Sequence, residues 1–193
     1  MAHNVFISWS GEPSRRIAII LRDWLPTVIQ VAKPFLSNLD IEAGARGLSV
    51  LSAELQTSQI GLICVTANNQ YSPWLNFEAG CLAKTIDETY VIPLAFDIEK
   101  GQIKNPLGQF QAKQFTKDDV LATVETINKA LGQALDEKLL GTAFGLSWPS
   151  LATQIEKLRS EHAQEPLMAP PKRTTEDMLE ELGSVFKPGI VAT

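Results

Sequence analysis

Residues 60–66 (IGLICVT) constrain the fold of this chain more than any other stretch of its sequence. The run is apolar up to its last residue and lacks the alternation of apolar and polar residues that marks a half-buried strand. A shorter run of the same kind, VFISWS, occupies residues 5–10. Strands that are buried on both faces are typical of parallel sheets covered by helices, so the two runs predict an α/β protein.

The remaining patterns alternate between helix and strand along the chain. In order, they predict a helix over 15–31, a strand over 34–37, a helix over 48–57, a helix after Pro73, a strand over 90–96, a short edge strand over 110–115, an amphipathic helix over 118–140 and a helix over 148–162. Pro93 predicts that the fourth strand lies at or near a sheet edge, or at a strand end, because proline donates no hydrogen bond to a neighbouring strand. The order predicts a central, mainly parallel five-stranded sheet with helices on both faces.

The composition argues against several classes of function. The chain has 17 basic and 22 acidic residues, a net charge of −5, and no basic stripe, so we expect no direct binding to nucleic acid. No apolar run reaches the roughly 20 residues that a membrane-spanning helix needs. The first residues lead straight into a strand pattern, which predicts no secretory signal and a cytoplasmic location.

The cysteines and histidines predict no metal site. Cys64 and Cys81 lie in apolar surroundings without CxxC spacing, which is typical of reduced thiols in a cytosolic protein. His3 and His162 are far apart in the sequence, and neither has a neighbour at ligand spacing. We therefore expect neither a disulfide nor a bound metal.

The length of 193 residues suits one domain followed by a tail. Residues 166–171 (PLMAPP) are rich in proline and interrupt the helical pattern. We expect a domain over residues 1–164, and a Pro-containing linker with a short C-terminal tail over residues 165–193.

A candidate site lies where the predicted strands end. Open parallel sheets bind ligands beyond the carboxyl ends of their strands, which selects the loops after Ser8, Ser37 and Thr66. None of these loops carries a GxGxxG or P-loop motif, which argues against a dinucleotide-binding dehydrogenase or an ATPase. Any chemistry at this edge must therefore depend on other side chains.

The helix after the third loop carries the most suggestive side chains. Ser72 is a suitable N-cap, and Pro73 suits a first helical turn, where the missing N–H would have no partner. Trp74 and Glu78 then fall four residues apart on one helix face. Taken alone, such a pair is more often packing plus a solvated charge than a catalytic site.

Three stretches together resemble a bacterial Toll/interleukin-1 receptor (TIR) domain of the NAD+-cleaving type. Residues 5–10 (VFISWS) resemble the first-strand box of that family, residues 40–47 (DIEAGARG) its BB loop, and residues 72–78 (SPWLNFE) its WxxxE helix. Their order and spacing agree with the family over roughly residues 4–160. Where many bacterial members carry an aromatic residue shortly after the arginine of the BB loop, this chain has Gly47 and Leu48.

The resemblance implies a flavodoxin-like TIR fold and cleavage of the bond between nicotinamide and ribose in NAD+. NAD+ would be the substrate, and no cofactor would be needed. The resemblance implies that Glu78 is the catalytic carboxylate beside the ribose. The implied substrate-binding residues are Ser8, Trp9, Ser10, Glu42, Arg46 and Trp74.

The chemistry of the reaction fits such a carboxylate. Nicotinamide in NAD+ is already a cationic leaving group, and the transition state resembles an oxocarbenium ion, as in glycoside hydrolysis. Glu78 would stabilise the developing charge on the ribose. Water would then give ADP-ribose, whereas an internal nucleophile would give a cyclic ADP-ribose or an isomer.

The resemblance also implies partners and leaves alternatives open. Family members self-associate through the BB loop, here residues 40–48, and bacterial members serve anti-phage defence, some by signalling to a downstream effector. The first alternative is a TIR adaptor without enzymatic activity that only binds other TIR domains. The second is an enzyme similar to nucleoside deoxyribosyltransferases, which shares the general architecture and a glutamate at the sugar.

Overall fold

Five parallel strands form one sheet in the computed structural model, which describes residues 4–36, 57–85, 90–104 and 106–163. The strands are β1 (Val5–Ser8), β2 (Pro34–Leu36), β3 (Ile60–Val65), β4 (Tyr90–Ala95) and β5 (Lys113–Gln114). Their order across the sheet is β2-β1-β3-β4-β5, and every neighbouring pair is parallel. This is the flavodoxin-like order, in which the direction of winding reverses between β1 and β3.

Helices cover both faces of this sheet. Within the described ranges they are α1 (Ser14–Val28), α2 (Pro73–Thr85), α3 (Lys117–Ala130) and α4 (Glu137–His162). One cluster of buried apolar side chains, here called the first cluster, joins α1, α3 and α4 to one sheet face, and a second cluster joins α2 to the other. The predicted fold class, a mainly parallel five-stranded sheet with helices on both faces, is confirmed.

Strand β1 contributes to both clusters because successive side chains of a strand point to opposite faces. Val5 and Ile7 belong to the first cluster and Phe6 to the second, and all three are fully buried. Phe6 stacks on Phe35 with ring centroids 5.8 Å apart. Each such side chain stabilises the fold by roughly 1.5–3 kcal/mol. The same alternation assigns Ser8, the last residue of β1, to the face that α2 covers.

Helix α2 packs closely on β3. A Cβ atom added at Gly61 would overlap the Cδ1 atom of Leu82, so the missing side chain lets the helix approach the strand. Ser8 of β1 is in register with Ile63 of β3. The start of α2 and the carboxyl ends of β1 and β3 therefore lie at the same edge of the sheet.

The predicted single helix over 118–140 is wrong, because a turn divides it into α3 and α4. Gly132 and Gln133 have φ values of 79° and 54°, a region that interrupts a right-handed helix. The Asn128 side chain stabilises the turn, since its Nδ2 donates to the Leu135 carbonyl at 2.7 Å and its Oδ1 accepts from the Leu135 N–H at 3.0 Å. Asp136 then caps α4 by accepting a hydrogen bond from the Leu139 N–H at 2.9 Å.

The last helix begins at Glu137, eleven residues before the predicted start at 148, and contains Pro149. Proline removes one intrahelical hydrogen bond, but the packing of α4 extends on both sides of it. Phe144 stacks on Trp148 at 5.7 Å and meets Trp24 of α1 edge-on at 6.2 Å, and Leu151 on the other side is fully buried. Tertiary packing therefore outweighs the local effect of the proline.

The other strand and helix predictions differ from the structure at their ends. The predicted helix over 15–31 is observed as Ser14–Val28, and the predicted edge strand over 110–115 as Lys113–Gln114. Pro93 lies one residue before β4 begins to pair with β5, as expected of a strand near the edge. The predicted loop 38–47, nearly all of the helix 48–57 and the tail 165–193 lie outside the described residues.

No helix in the described ranges is both long enough and apolar enough to cross a bilayer. Nor do these ranges contain a group of three or more His, Cys, Asp or Glu side chains that could hold a metal ion.

Asp119, in the first turn of α3, anchors two lysines near the sheet edge. Its Oδ2 accepts hydrogen bonds from Lys100 Nζ and the Gln114 N–H, both at 2.9 Å, and Lys113 Nζ lies 3.9 Å from Oδ1. Burial alone would raise the pKa of the Asp119 carboxyl, but the hydrogen bonds and the two positive charges outweigh it and hold the pKa below its ordinary value. The ionised form is therefore favoured by folding.

We expect Asp119→Asn to reduce the free energy of unfolding by roughly 1 kcal/mol at pH 7. Because the folded-state pKa is depressed, this stabilisation is present above the unfolded pKa of about 4 and is lost as pH falls through the folded pKa. Urea denaturation of both proteins should give free energies of unfolding that differ at pH 7 and converge in acid, once pH has fallen below the folded-state pKa of Asp119. Asp118→Asn, an exposed change in the same helical turn, is the control. A difference that persists at low pH would contradict the assignment.

Candidate active site

A buried pair of polar side chains joins β1 to α2. Ser8 Oγ donates a hydrogen bond to Oε2 of the Glu78 carboxylate, and neither residue has exposed surface. The contact links residues 70 positions apart in the chain. It lies at the carboxyl edge of the sheet, where the sequence predicted Glu78, and next to the reversal of winding between β1 and β3.

The periodicity of α2 explains why Glu78 is buried. Leu75, Ala79 and Leu82 form the apolar stripe that packs in the second cluster, and Glu78 falls within that stripe at helical spacing. Transferring a carboxylate into such surroundings costs free energy unless hydrogen bonds satisfy it. A hydroxyl that donates to a carboxyl oxygen offsets part of that cost. Ser8 supplies such a donor here.

Trp74 and Trp9 lie on different sides of the sheet. Trp74 is partly buried against the second cluster, with its ring centroid 6.1 Å from that of Phe77. Trp9 packs partly against the first cluster, and the guanidinium carbon of Arg15 lies 6.0 Å from its ring centroid. Trp74 therefore shares the α2 side with Glu78, whereas Trp9 belongs to the α1 side.

Ser10 is held in place by three hydrogen bonds. Its N–H donates to Ser14 Oγ at 3.2 Å, its hydroxyl accepts from Ser72 Oγ at 3.1 Å, and its carbonyl accepts from Asn69 Nδ2 at 3.2 Å. Ser72 immediately precedes α2, so the hydroxyl pair joins the loop after β1 to the start of the helix that carries Glu78.

Asn69 is the site residue that the sequence did not predict. Its Nδ2 also donates to the Cys64 carbonyl at 3.0 Å, and its Oδ1 accepts from the Thr66 N–H at 2.7 Å. Its own N–H donates to Thr66 Oγ1 at 3.2 Å, and its carbonyl accepts from the Ser72 N–H at 2.8 Å. An asparagine in a polar loop after a buried strand is the one sequence signal that favours such a role.

Cys64 is not a nucleophile in this arrangement. Its side chain is fully buried in the first cluster, and burial raises the pKa of the thiol far above its ordinary value. The reactive thiolate is therefore absent at neutral pH. Neither Cys64 nor Cys81 forms a disulfide.

The loop after β4 is connected to the same edge. Asp97 Oδ1 accepts a hydrogen bond from the Ala67 N–H at 2.7 Å, and Asp97 Oδ2 lies 3.1 Å from His162 Nε2. Gln70 Oε1 accepts from the Lys104 N–H at 3.1 Å. These contacts stabilise the loop between β3 and α2 from the β4 side.

The predicted catalytic and substrate-binding residues thus fall into three groups. Ser8, Glu78 and Trp74 lie on the α2 side of the sheet, and Ser10 is joined to the start of α2. Trp9 lies on the α1 side. Glu42 and Arg46 lie outside the described residues, so their contribution stays a prediction.

Comparisons with known proteins add a structural similarity only. No family model matches the sequence, and no curated protein matches it either. Among solved structures, the chain is similar to the TIR domains of the activated Roq1 resistosome, which directly recognises the pathogen effector XopQ. The identity is 14%, the match covers 96% of this chain and 100% of the other, and the TM-score is 0.45. A similarity at this level assigns neither an activity nor a partner to the chain.

We expect Ser8→Ala to lower the free energy of unfolding by about 1–3 kcal/mol, because the change removes a donor from a buried carboxylate. Ser58→Ala is the matched control, since Ser58 is also fully buried and its hydroxyl has no hydrogen-bond partner in the described part of the chain. It should change stability by much less. Equal losses for the two variants in urea denaturation would contradict a stabilising Ser8–Glu78 contact.

Proposed function

We propose that the chain is a TIR-type NAD+ nucleosidase in which Glu78 is the catalytic carboxylate. The observation that supports this most is the buried Ser8–Glu78 pair at the carboxyl edge of a sheet with flavodoxin-like strand order. Sheets of this kind bind nucleotide-like ligands at that edge, beside the reversal of winding. The three TIR-like sequence stretches support the same reading.

In this proposal Glu78 acts on the ribose. The bond between the ribose carbon and the nicotinamide nitrogen breaks, and the electron pair leaves with neutral nicotinamide. A fixed carboxylate stabilises the positive charge that develops on the sugar, and its surroundings of low polarity strengthen that interaction. Ser8 orients the carboxylate and can pass its hydrogen bond to a ribose hydroxyl once substrate is bound.

Access to Glu78 requires a conformational change. Neither Ser8 nor Glu78 has exposed surface, so substrate can reach the carboxylate only after covering groups move. We assign this opening to self-association through residues 40–48, which lie outside the described ranges. The isolated chain would then be almost inactive, and clustering would switch it on, which suits an enzyme that depletes or converts NAD+ in anti-phage defence.

The remaining substrate contacts follow the same scheme. Arg46 would pair with the diphosphate and Glu42 would contact the substrate from the same loop, while Trp74 would limit water around the carboxylate. From the loop after β1, Trp9 would pack against the nicotinamide or ribose, and Ser10 would form a hydrogen bond with ribose or phosphate. Capture of the sugar cation by water gives ADP-ribose, and capture by a nucleophile of the same molecule gives a cyclic ADP-ribose isomer that could signal to an effector protein.

The complete burial of Glu78 favours a second candidate, a TIR adaptor without enzymatic activity. In that case the Ser8–Glu78 pair only orients α2, and the function depends on binding other TIR domains through residues 40–48. Binding of a second TIR domain should then withstand Glu78→Gln but be lost on Gly44→Ala or Arg46→Ala. Pull-down with tagged copies of the chain would measure this.

We expect the wild-type chain to release nicotinamide from NAD+ when it is clustered on a surface or assayed at high concentration. Glu78→Gln should lower the rate by about 100-fold or more, because it removes the charge that stabilises the transition state. Glu125→Gln, an exposed change on α3, is the matched control and should keep full activity. Chromatography would follow nicotinamide, and mass spectrometry would identify the ADP-ribose product.

Three outcomes would contradict parts of this proposal. No release by the clustered wild type would refute the NAD+ nucleosidase. Full activity of Glu78→Gln would refute the role of the carboxylate. Deoxynucleosides should be assayed beside NAD+. Base exchange on the deoxynucleosides without release of nicotinamide would instead favour an enzyme similar to nucleoside deoxyribosyltransferases.

A further inference from the structure

We propose that Asn69 is a positioning residue that keeps Ser8 and Glu78 at hydrogen-bonding distance from each other. The inference rests on the proposed function, in which Glu78 must lie at a set distance from the ribose. Asn69 lies in the loop between β3 and α2 and is 7% exposed. It acts through its neighbours and not on the substrate.

Three segments converge on Asn69, two of them on its side-chain amide and the third on its backbone carbonyl. Its two N–H groups donate to the Ser10 carbonyl, in the loop after β1, and to the Cys64 carbonyl, near the end of β3. Its amide oxygen accepts from the Thr66 N–H, and its own carbonyl accepts from the Ser72 N–H. Both donor hydrogens and the oxygen of the amide thus have partners, as buried polar groups require.

These bonds control the two ends of the Ser8–Glu78 contact. Ser10 follows Ser8 by two residues, so fixing the Ser10 carbonyl fixes the end of β1. Ser72 immediately precedes α2, so the hydrogen bond to its N–H fixes the start of the helix. Glu78 lies on that helix, and its position is fixed with it. The Ser72–Ser10 hydroxyl contact at 3.1 Å joins the same two segments. A shift of Asn69 would therefore change the distance between Ser8 and Glu78.

The substitution Asn69→Asp tests this with little change in volume. It places an oxygen where Nδ2 now donates, so that two carbonyl oxygens face an acceptor. The bond from the Thr66 N–H is kept, and so is the bond from the Ser72 N–H to the backbone carbonyl of Asn69, so the change removes only the bridges to Ser10 and Cys64. We expect the loop after β1 and the start of α2 to separate, while the sheet and both clusters stay intact.

Asn128 provides a matched control. It is 5% exposed and also joins two segments, because its amide both donates to and accepts from the backbone of Leu135 in the turn after α3. Asn128→Asp therefore removes one side-chain-to-carbonyl hydrogen bond of the same kind away from the Ser8–Glu78 pair. It should lower stability without affecting the site.

The experiment combines kinetics with hydrogen exchange on the full chain. For nicotinamide release by the clustered protein, we expect Asn69→Asp to lower kcat by roughly 100-fold with KM changed by less than about threefold, because misplacement by about 1 Å has that effect. Asn128→Asp should keep kcat within about twofold. Exchange measured by mass spectrometry should accelerate in residues 8–10 and 72–78 for Asn69→Asp only.

The kinetic measurement and the hydrogen-exchange measurement together separate a failure of this inference from a failure of the proposed function. Equal losses of kcat in both variants, or unchanged exchange at 8–10 and 72–78 in Asn69→Asp, would overturn the positioning role. If the wild type releases no nicotinamide, the proposed function fails, and the exchange arm alone decides whether Asn69 holds the two segments together. If Asn69→Asp does not fold, Asn69→Ser replaces it, because the smaller hydroxyl removes the bridge without adding charge.

Discussion

The parallel pairing of β1 with β3 is the constraint on which the rest of the structure depends. It sets Ser8 beside Ile63, and it brings the loops after both strands to the same edge. Because both strands are buried on both faces, a slip of one residue would move every side chain to the opposite face. Phe6 and Ser8 would then lose their contacts with α2, and the Ser8–Glu78 hydrogen bond could not form.

The elements that the sequence predicted well are those whose pattern has one physical explanation. Continuous apolar runs in β1 and β3 are typical of strands buried on both faces, and the proline before Trp74 fits a helix start. The division between α3 and α4 was missed because Leu131 and Leu135 keep helical spacing through the turn. The turn depends on Gly132, which has a positive φ, and on Asn128, whose side chain forms a hydrogen bond with the backbone of Leu135 seven residues later. Such a contact has no local sequence signature.

The candidate site was predictable in part for the same reason. Glu78 could be placed at the sheet edge from the chain order, but its burial, which follows from its position within the stripe of Leu75, Ala79 and Leu82, was not predicted. The strand alternation likewise assigns Ser8 to the α2 side and Trp9 to the other. Asn69 could not be found this way, because its role depends on hydrogen bonds between segments up to 59 residues apart.

A carboxylate in the middle of an apolar stripe is an inconsistency between local pattern and chemistry. An apolar side chain of similar size would fill the position on α2 without the cost of burying a charge, and replacements of that kind are often neutral or stabilising. Inconsistencies of this sort concentrate at functional sites, where stability is given up for chemistry. The surroundings strengthen that argument here. The hydroxyl of Ser8 points at the carboxylate, and the loops around it are held by a shared asparagine amide. In the proposed function, this fixation supplies the preorganisation that stabilises a sugar cation.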